Sequence, residues 1–174
     1  NGEDNVKHIS FDPISYSGIR KANELSFQKP AIPHYDFSSA ETIVSVAADF
    51  CSTWLMSNSY AMDYATNRNP DKKMSKHFQF EANMSLTGAN ADYRTAIKPS
   101  EEGLILASIY NQVAKQLGMG TVSVDTSLVD DKTAKAANSL LNSKQKSLVV
   151  AGSNQVAHQL MANGINFMLG NYGR

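Results

Sequence analysis

The amino-acid sequence predicts an α/β domain with a mostly parallel sheet and helices on both faces. Three observations predict it. Thr42–Ala48 (TIVSVAA) and Ser147–Ala151 (SLVVA) are short, nearly continuous apolar runs, the pattern of strands buried on both sides. Each run ends in a polar turn, Asp49–Ser52 or Gly152–Asn154, and a helical pattern follows. Strand and helix patterns then alternate along the whole chain, which implies right-handed crossovers between parallel strands.

Taken in order, Val6–Phe11 alternates as a strand would and Asp12-Pro13 stops it. Ile14–Phe27 has a rough apolar face of Ile14, Ile19, Ala22, Leu25 and Phe27, with Asp12 or Ser15 as its cap. Pro30 and Pro33 make Lys29–Ser39 a surface connector, because proline blocks helices and central strands alike. After the Thr42–Ala48 strand, Asp49, Ser52 and Thr53 are the candidate N-caps of a helix over Thr53–Arg68. Its aromatics Trp54, Tyr60 and Tyr64 read as core packing. Asn67–Lys76 is a charged turn, His77–Glu81 a strand and Ala82–Asp92 a long polar loop of the kind that carries function. Tyr93–Ile97 is a further short strand. Pro99, Ser100 as N-cap and the acids Glu101 and Glu102 open a helix that Gly118 ends. Val122 and Val124 suggest an edge strand. Helices are expected over Asp131–Asn142 and Gln155–Leu169. Gly164 lies inside the second, where glycine costs about 1 kcal/mol against alanine and signals close packing.

A chain of 174 residues with 42% hydrophobic content suits one domain with a sizeable core. Sixteen basic residues balance sixteen acidic ones, so net charge gives no reason to expect nucleic acid or an anionic membrane surface as partner. No apolar run reaches the ~18 residues of a membrane span, and no signal peptide is visible. The chain starts Asn1-Gly2-Glu3, without Met, so an excised or processed piece of a larger subunit is expected.

The chemical inventory is thin. Cys51 is the only cysteine, which rules out an internal disulfide, an iron–sulfur cluster or a thiolate zinc site built from this chain. It is either a buried, inert thiol or a thiolate activated at a helix N-terminus. His8, His34, His77 and His158 have no metal-like spacing. Phosphate-loop, nucleophile-elbow, zincin and dinucleotide glycine motifs are absent. Asp92 and Arg94 flank Tyr93 as a candidate ion pair. In open parallel sheets ligands lie at the carboxyl ends of the strands. Asp49, Phe50, Cys51, Ser52, Glu81, Glu102, Gly152 and Ser153 all follow strands or open helices, so they are the candidate cofactor-binding crevice. No catalytic residue and no metal ligand is singled out.

Longer phrases carry a resemblance. Phe37–Glu41 leads into a buried strand and the turn Asp49-Phe50-Cys51-Ser52. His77–Glu81, Thr87–Asp92 and Pro99–Glu102 form a strand ending in an acid, a loop and a helix start. Leu148–Gly152, Gln155–Leu169 and Gly170–Gly173 form a strand, a helix and a closing Gly-Asn-x-Gly. In this order they resemble the Rossmann-like α/β domain of molybdopterin oxidoreductases of the dimethyl-sulfoxide-reductase type. ISYSGIRKANELSF, IPHYDFSSAETIVSVAADF and MSLTGANADYR are most similar to the large iron–sulfur subunits of bacterial alternative complex III, a respiratory quinol:electron-acceptor oxidoreductase.

That resemblance implies two readings. One is a non-catalytic scaffold domain without the molybdenum cofactor, beside an iron–sulfur domain elsewhere in the full-length protein. It would sit on the periplasmic face of the cytoplasmic membrane, against other domains and subunits of a respiratory complex. The other is a domain that holds the guanosine end of molybdopterin guanine dinucleotide through Asp49–Ser52, Glu81 and Glu102. The departures from the family pattern favour the first. Asp49 sets a carboxylate where a phosphate would lie, and Ser100 replaces a glycine that lets backbone approach the ligand.

Overall fold

The computed structural model describes residues 7–9, 11 and 13–173. Four strands form one parallel sheet in the order β3-β2-β1-β4. They are β1 (Thr42–Val46), β2 (Lys76–Glu81), β3 (Tyr93–Ala96) and β4 (Ser147–Ala151). Around them lie α1 (Ser17–Phe27), α2 (Ser57–Thr66), the short α3 (Leu86–Ala89), α4 (Glu102–Gln116), α5 (Asp130–Asn142) and α6 (Val156–Leu169). The predicted α/β class is therefore what forms.

The period of two along each strand divides the core. Val44, Val46, Phe78, Phe80, Val149 and Ala151 pack with Ile105, Ile109, Leu140 and Ile165 from α4, α5 and α6. Ile43 and Val150 face the other way, against Phe37, Phe50, Trp54, Tyr60, Tyr64 and Ile19. The aromatics of 54–64 are thus core, as their spacing suggested. Gly164 meets α4, where an added Cβ would lie 2.7 Å from the Tyr110 ring.

Several boundaries depart from expectation for identifiable reasons. β1 stops at Val46 because Ala47 takes a left-handed φ of 56°. The following helix begins at Ser57, not Thr53. The Asp49 carbonyl gathers the N–H groups of Ser52, Thr53 and Trp54 into a compact turn. Leu55 then adopts a φ of 50°, which no helix continues through. Asp49, Ser52 and Thr53 therefore do not cap α2. Ser100 is not the cap of α4 either. It lies in a 3₁₀ turn, Pro99–Glu101, where Glu101 accepts from the Lys98 N–H at 2.8 Å. No strand forms at Val122–Val124, because Asn111 takes both backbone groups of Val122. Of the expected Val6–Phe11 strand, Val6 and Ser10 lie outside the described residues, and the rest is unpaired. α1 starts at Ser17, and Asp12 lies outside the described residues.

Candidate functional site

The crevice predicted at the carboxyl ends of the strands is organised by α3, which lies in the polar loop after β2. Ser85 caps α3, its Oγ accepting from the Gly88 N–H at 3.0 Å. Two carboxylates of the chain then occupy the N–H groups of this turn. Glu81 accepts from the Ser85 N–H at 3.1 Å and from Ser85 Oγ at 2.6 Å. Asp49 accepts from the Thr87 N–H at 3.2 Å and from Thr87 Oγ1 at 2.7 Å. Thr87 Oγ1 in turn accepts from the Cys51 N–H at 2.9 Å. One short segment thus ties the turn after β1 to the end of β2.

Glu81 is fully committed. Besides Ser85 it accepts from Arg94 Nε at 2.6 Å and from Gln79 Nε2 at 3.0 Å, with only 4% of the residue exposed. Burial works to raise its carboxyl, but the bonds from Ser85, Arg94 and Gln79 outweigh it and hold the group below the usual carboxylate range. Gly88 makes this arrangement fit, since a Cβ there would lie 1.8 Å from Glu81 Oε1. Arg94 therefore pairs with Glu81 and not with Asp92. Asp92 instead takes both Arg68 guanidinium nitrogens, at 2.8 and 2.9 Å, and the His77 N–H at 2.8 Å. Parallel register explains the exchange: Arg94 lies opposite Gln79, two residues from Glu81 on β2.

The other candidates take separate places. Phe50 is wholly buried, stacked on Phe37 at 4.2 Å and close to His77 at 5.3 Å, so it belongs to the core. Ser52 is exposed. Cys51 is half-buried and no helix starts at it, which removes the activated-thiolate reading; burial pushes its thiol up. Gly152 packs on the turn after β1, and a Cβ there would lie 2.0 Å from the Ala47 carbonyl oxygen. Ser153 Oγ accepts from the Gln155 N–H at 3.1 Å. Glu102 stands apart at the start of α4, half-buried. Its carboxyl has no hydrogen-bond or ionic partner among the described residues, and burial raises it.

At Glu81 and the α3 turn, the guanosine end of a pterin dinucleotide finds no free group as arranged. A guanine base would donate to a carboxylate, but both Glu81 oxygens already accept two bonds each. A phosphate would seek free N–H groups at a turn, but those of Ser85 and Thr87 already face carboxylates. Ser85 and Thr87 are the residues that sequence reasoning missed, and Arg94 was assigned to Asp92 rather than to Glu81. The Ser-Leu-Thr-Gly run at 85–88 was the available signal for the first two, being an N-cap followed by small residues.

His77 continues the polar row of β2. Its Nδ1 meets the Tyr64 hydroxyl at 3.1 Å and its Nε2 meets Gln79 Oε1 at 3.3 Å. Burial pulls its pKa down to about 4. Among the described residues no group of His, Cys, Asp or Glu has the arrangement of a metal site. No family model and no curated protein matches the chain.

Proposed function

We propose that this chain is a non-catalytic α/β scaffold domain of a molybdopterin-oxidoreductase-like subunit in a respiratory quinol oxidoreductase complex. Its long phrases resemble the alternative complex III branch, whose place is the periplasmic face of the cytoplasmic membrane. Its partners on this reading are other domains of the same polypeptide and neighbouring subunits. No helix among the described residues is long and apolar enough to cross a membrane, so attachment through those partners agrees with it. The observation that carries the reading is the closed crevice: α3 places Ser85 on Glu81 and Thr87 on Asp49. Two of the acids that would recognise a nucleotide, Asp49 and Glu81, serve the fold instead.

A second reading, a domain that binds molybdopterin guanine dinucleotide, is favoured by Glu102 alone. Its carboxyl is uncommitted and sits in the first turn of a 15-residue helix. Calorimetric titration of the purified chain with GMP and GDP separates the two. The scaffold reading expects no saturable binding at micromolar concentration. Micromolar binding that disappears in Glu102→Ala overturns it.

A further inference from the structure

The amino-terminal end of the sheet has a different chemistry. A cavity of about 330 Å³ opens there between the starts of β1 and β2 and the last turns of α5. Lys73, Lys76 and Lys135 line it against a single carboxylate, Glu41. Glu41 is already shared by Lys73 at 2.7 Å and Lys146 at 3.2 Å, and these bonds hold its carboxyl low.

Lys135 is fixed without a counter-charge. Its Nζ lies 3.7 Å from the centroid of the Tyr93 ring, a cation–π contact. That ring stacks on Phe78 at 4.7 Å, and Phe78 is 3% exposed, so the aromatic pair is anchored in the core. Lys76 is the first residue of β2, with its backbone held by the sheet. Neither ammonium pairs with a carboxylate among the described residues. The carboxyl end of α5 also faces this region, and free helix carbonyls would attract cations. Some of them are taken by the protein: Ser139 O accepts from Thr42 and Ser143 hydroxyls, and Ser143 O from the Lys146 N–H. Asn138 and Asn142 add exposed amides to the rim.

We propose that this cavity binds a small, multiply charged anion of the phosphate class, held by Lys76 and Lys135 with Lys73 at the edge. Lysines that line one cavity from different elements suit an anion with several oxygens, and lysine serves phosphate as a point charge. The concave shape and volume suit a small molecule rather than a macromolecular surface. With net charge zero, the chain as a whole does not attract anions, so the attraction is local. The site lies at the opposite end of the sheet from Asp49 and Glu81 and does not depend on the scaffold reading.

Isothermal titration of the 174-residue chain with pyrophosphate at low ionic strength tests it. One saturable site with a Kd below about 1 mM is expected. Lys76→Gln and Lys135→Gln should each weaken it by about tenfold, and added salt should weaken it further. Lys21→Gln removes an exposed charge from α1 and should leave the affinity unchanged. Thermal melts confirm that each variant is folded. Absence of saturation by about 10 mM, or an affinity in both cavity variants equal to that of the parent chain, overturns the proposal. A GDP signal arising here would fall in Lys135→Gln and persist in Glu102→Ala, so it cannot be confused with binding at the crevice.

Discussion

Asn166 pairs with Val149 as a neighbouring strand would. Its Oδ1 accepts from the Val149 N–H at 3.0 Å, and its Nδ2 donates to the Val149 carbonyl at 2.7 Å. β4 is an outer strand of the sheet, so the outward backbone groups of Val149 have no strand beside them. Gln159 treats the Ala151 carbonyl likewise, donating at 2.8 Å. Asn171 donates to Asn166 Oδ1 at 3.0 Å and orients the amide. Helix α6 therefore covers the sheet edge with side-chain amides and denies it to a foreign strand.

Asn166→Leu should destabilise the chain by about 2–5 kcal/mol, because each buried backbone group left unpaired costs ~1–3 kcal/mol. Asn166→Asp should also lose stability, since it sets a carboxylate against the Val149 carbonyl. Urea denaturation measures both. A loss below about 1 kcal/mol in the leucine variant would show that the edge groups find other partners.

Gly152 has no room for a side chain. The Cβ of Gly152→Ala would lie 2.0 Å from the Ala47 carbonyl oxygen. Ala47 cannot easily yield, because its N–H donates to Phe80 O at 2.8 Å. A cost of about 3 kcal/mol is expected, at the upper end for overpacking. Gly120→Ala is the comparison: nothing lies within 4 Å of its Cβ, so it should be neutral or slightly stabilising. Equal melting temperatures for the two variants would refute the packing argument.

The sheet was legible because β1 and β4 are buried apolar runs, and α4, α5 and α6 because their apolar residues recur at helical spacing. What the sequence concealed depends on contacts distant along the chain. The late start of α2 follows from the Asp49 turn, which Thr87 holds from 38 residues away. The alternation in HFQFE marked β2 as a strand, but it does not say that His77, Gln79 and Glu81 are buried on their own face.

The candidate crevice shows the same division. Position after a strand placed Asp49, Glu81 and Gly152 correctly at the carboxyl end. It did not reveal that their bonding capacity is spent within the chain. Arg94 was paired with its near neighbour Asp92, whereas parallel register delivers it to Glu81, 13 residues back. Phe50 was counted with the turn, although an aromatic beside Phe37 and Tyr64 is better used in the core.

His77 should make stability depend on pH. Burial lowers its folded pKa to about 4, against ~6.5 in the unfolded chain. The unfolded state therefore takes up a proton first as the pH falls. The contribution of His77 is complete above about pH 6.5 and is lost as the pH approaches 4, by up to ~1.4 kcal/mol per unit. His77→Gln should remove that slope. Urea denaturation across the window tests it, and an unchanged slope in the variant would rule His77 out as its source.

Glu81 should act at lower pH. Its folded pKa is depressed, despite burial, by the bonds from Ser85, Arg94 and Gln79. Its contribution is therefore complete above the unfolded value of ~4.3 and is lost as the pH falls through the folded value. Glu81→Gln sets an amide N–H₂ against the donors Arg94 and Ser85 and leaves the guanidinium without a counter-charge. At neutral pH a loss of about 2–3 kcal/mol is expected, less than for a fully buried pair because the Arg94 side chain is 25% exposed. In acid the parent carboxyl is itself protonated, so the difference between parent and variant should shrink below about pH 4. Stability curves of the two proteins that stay parallel from neutral pH into that range would mean that the charge of Glu81 does not hold α3 in place.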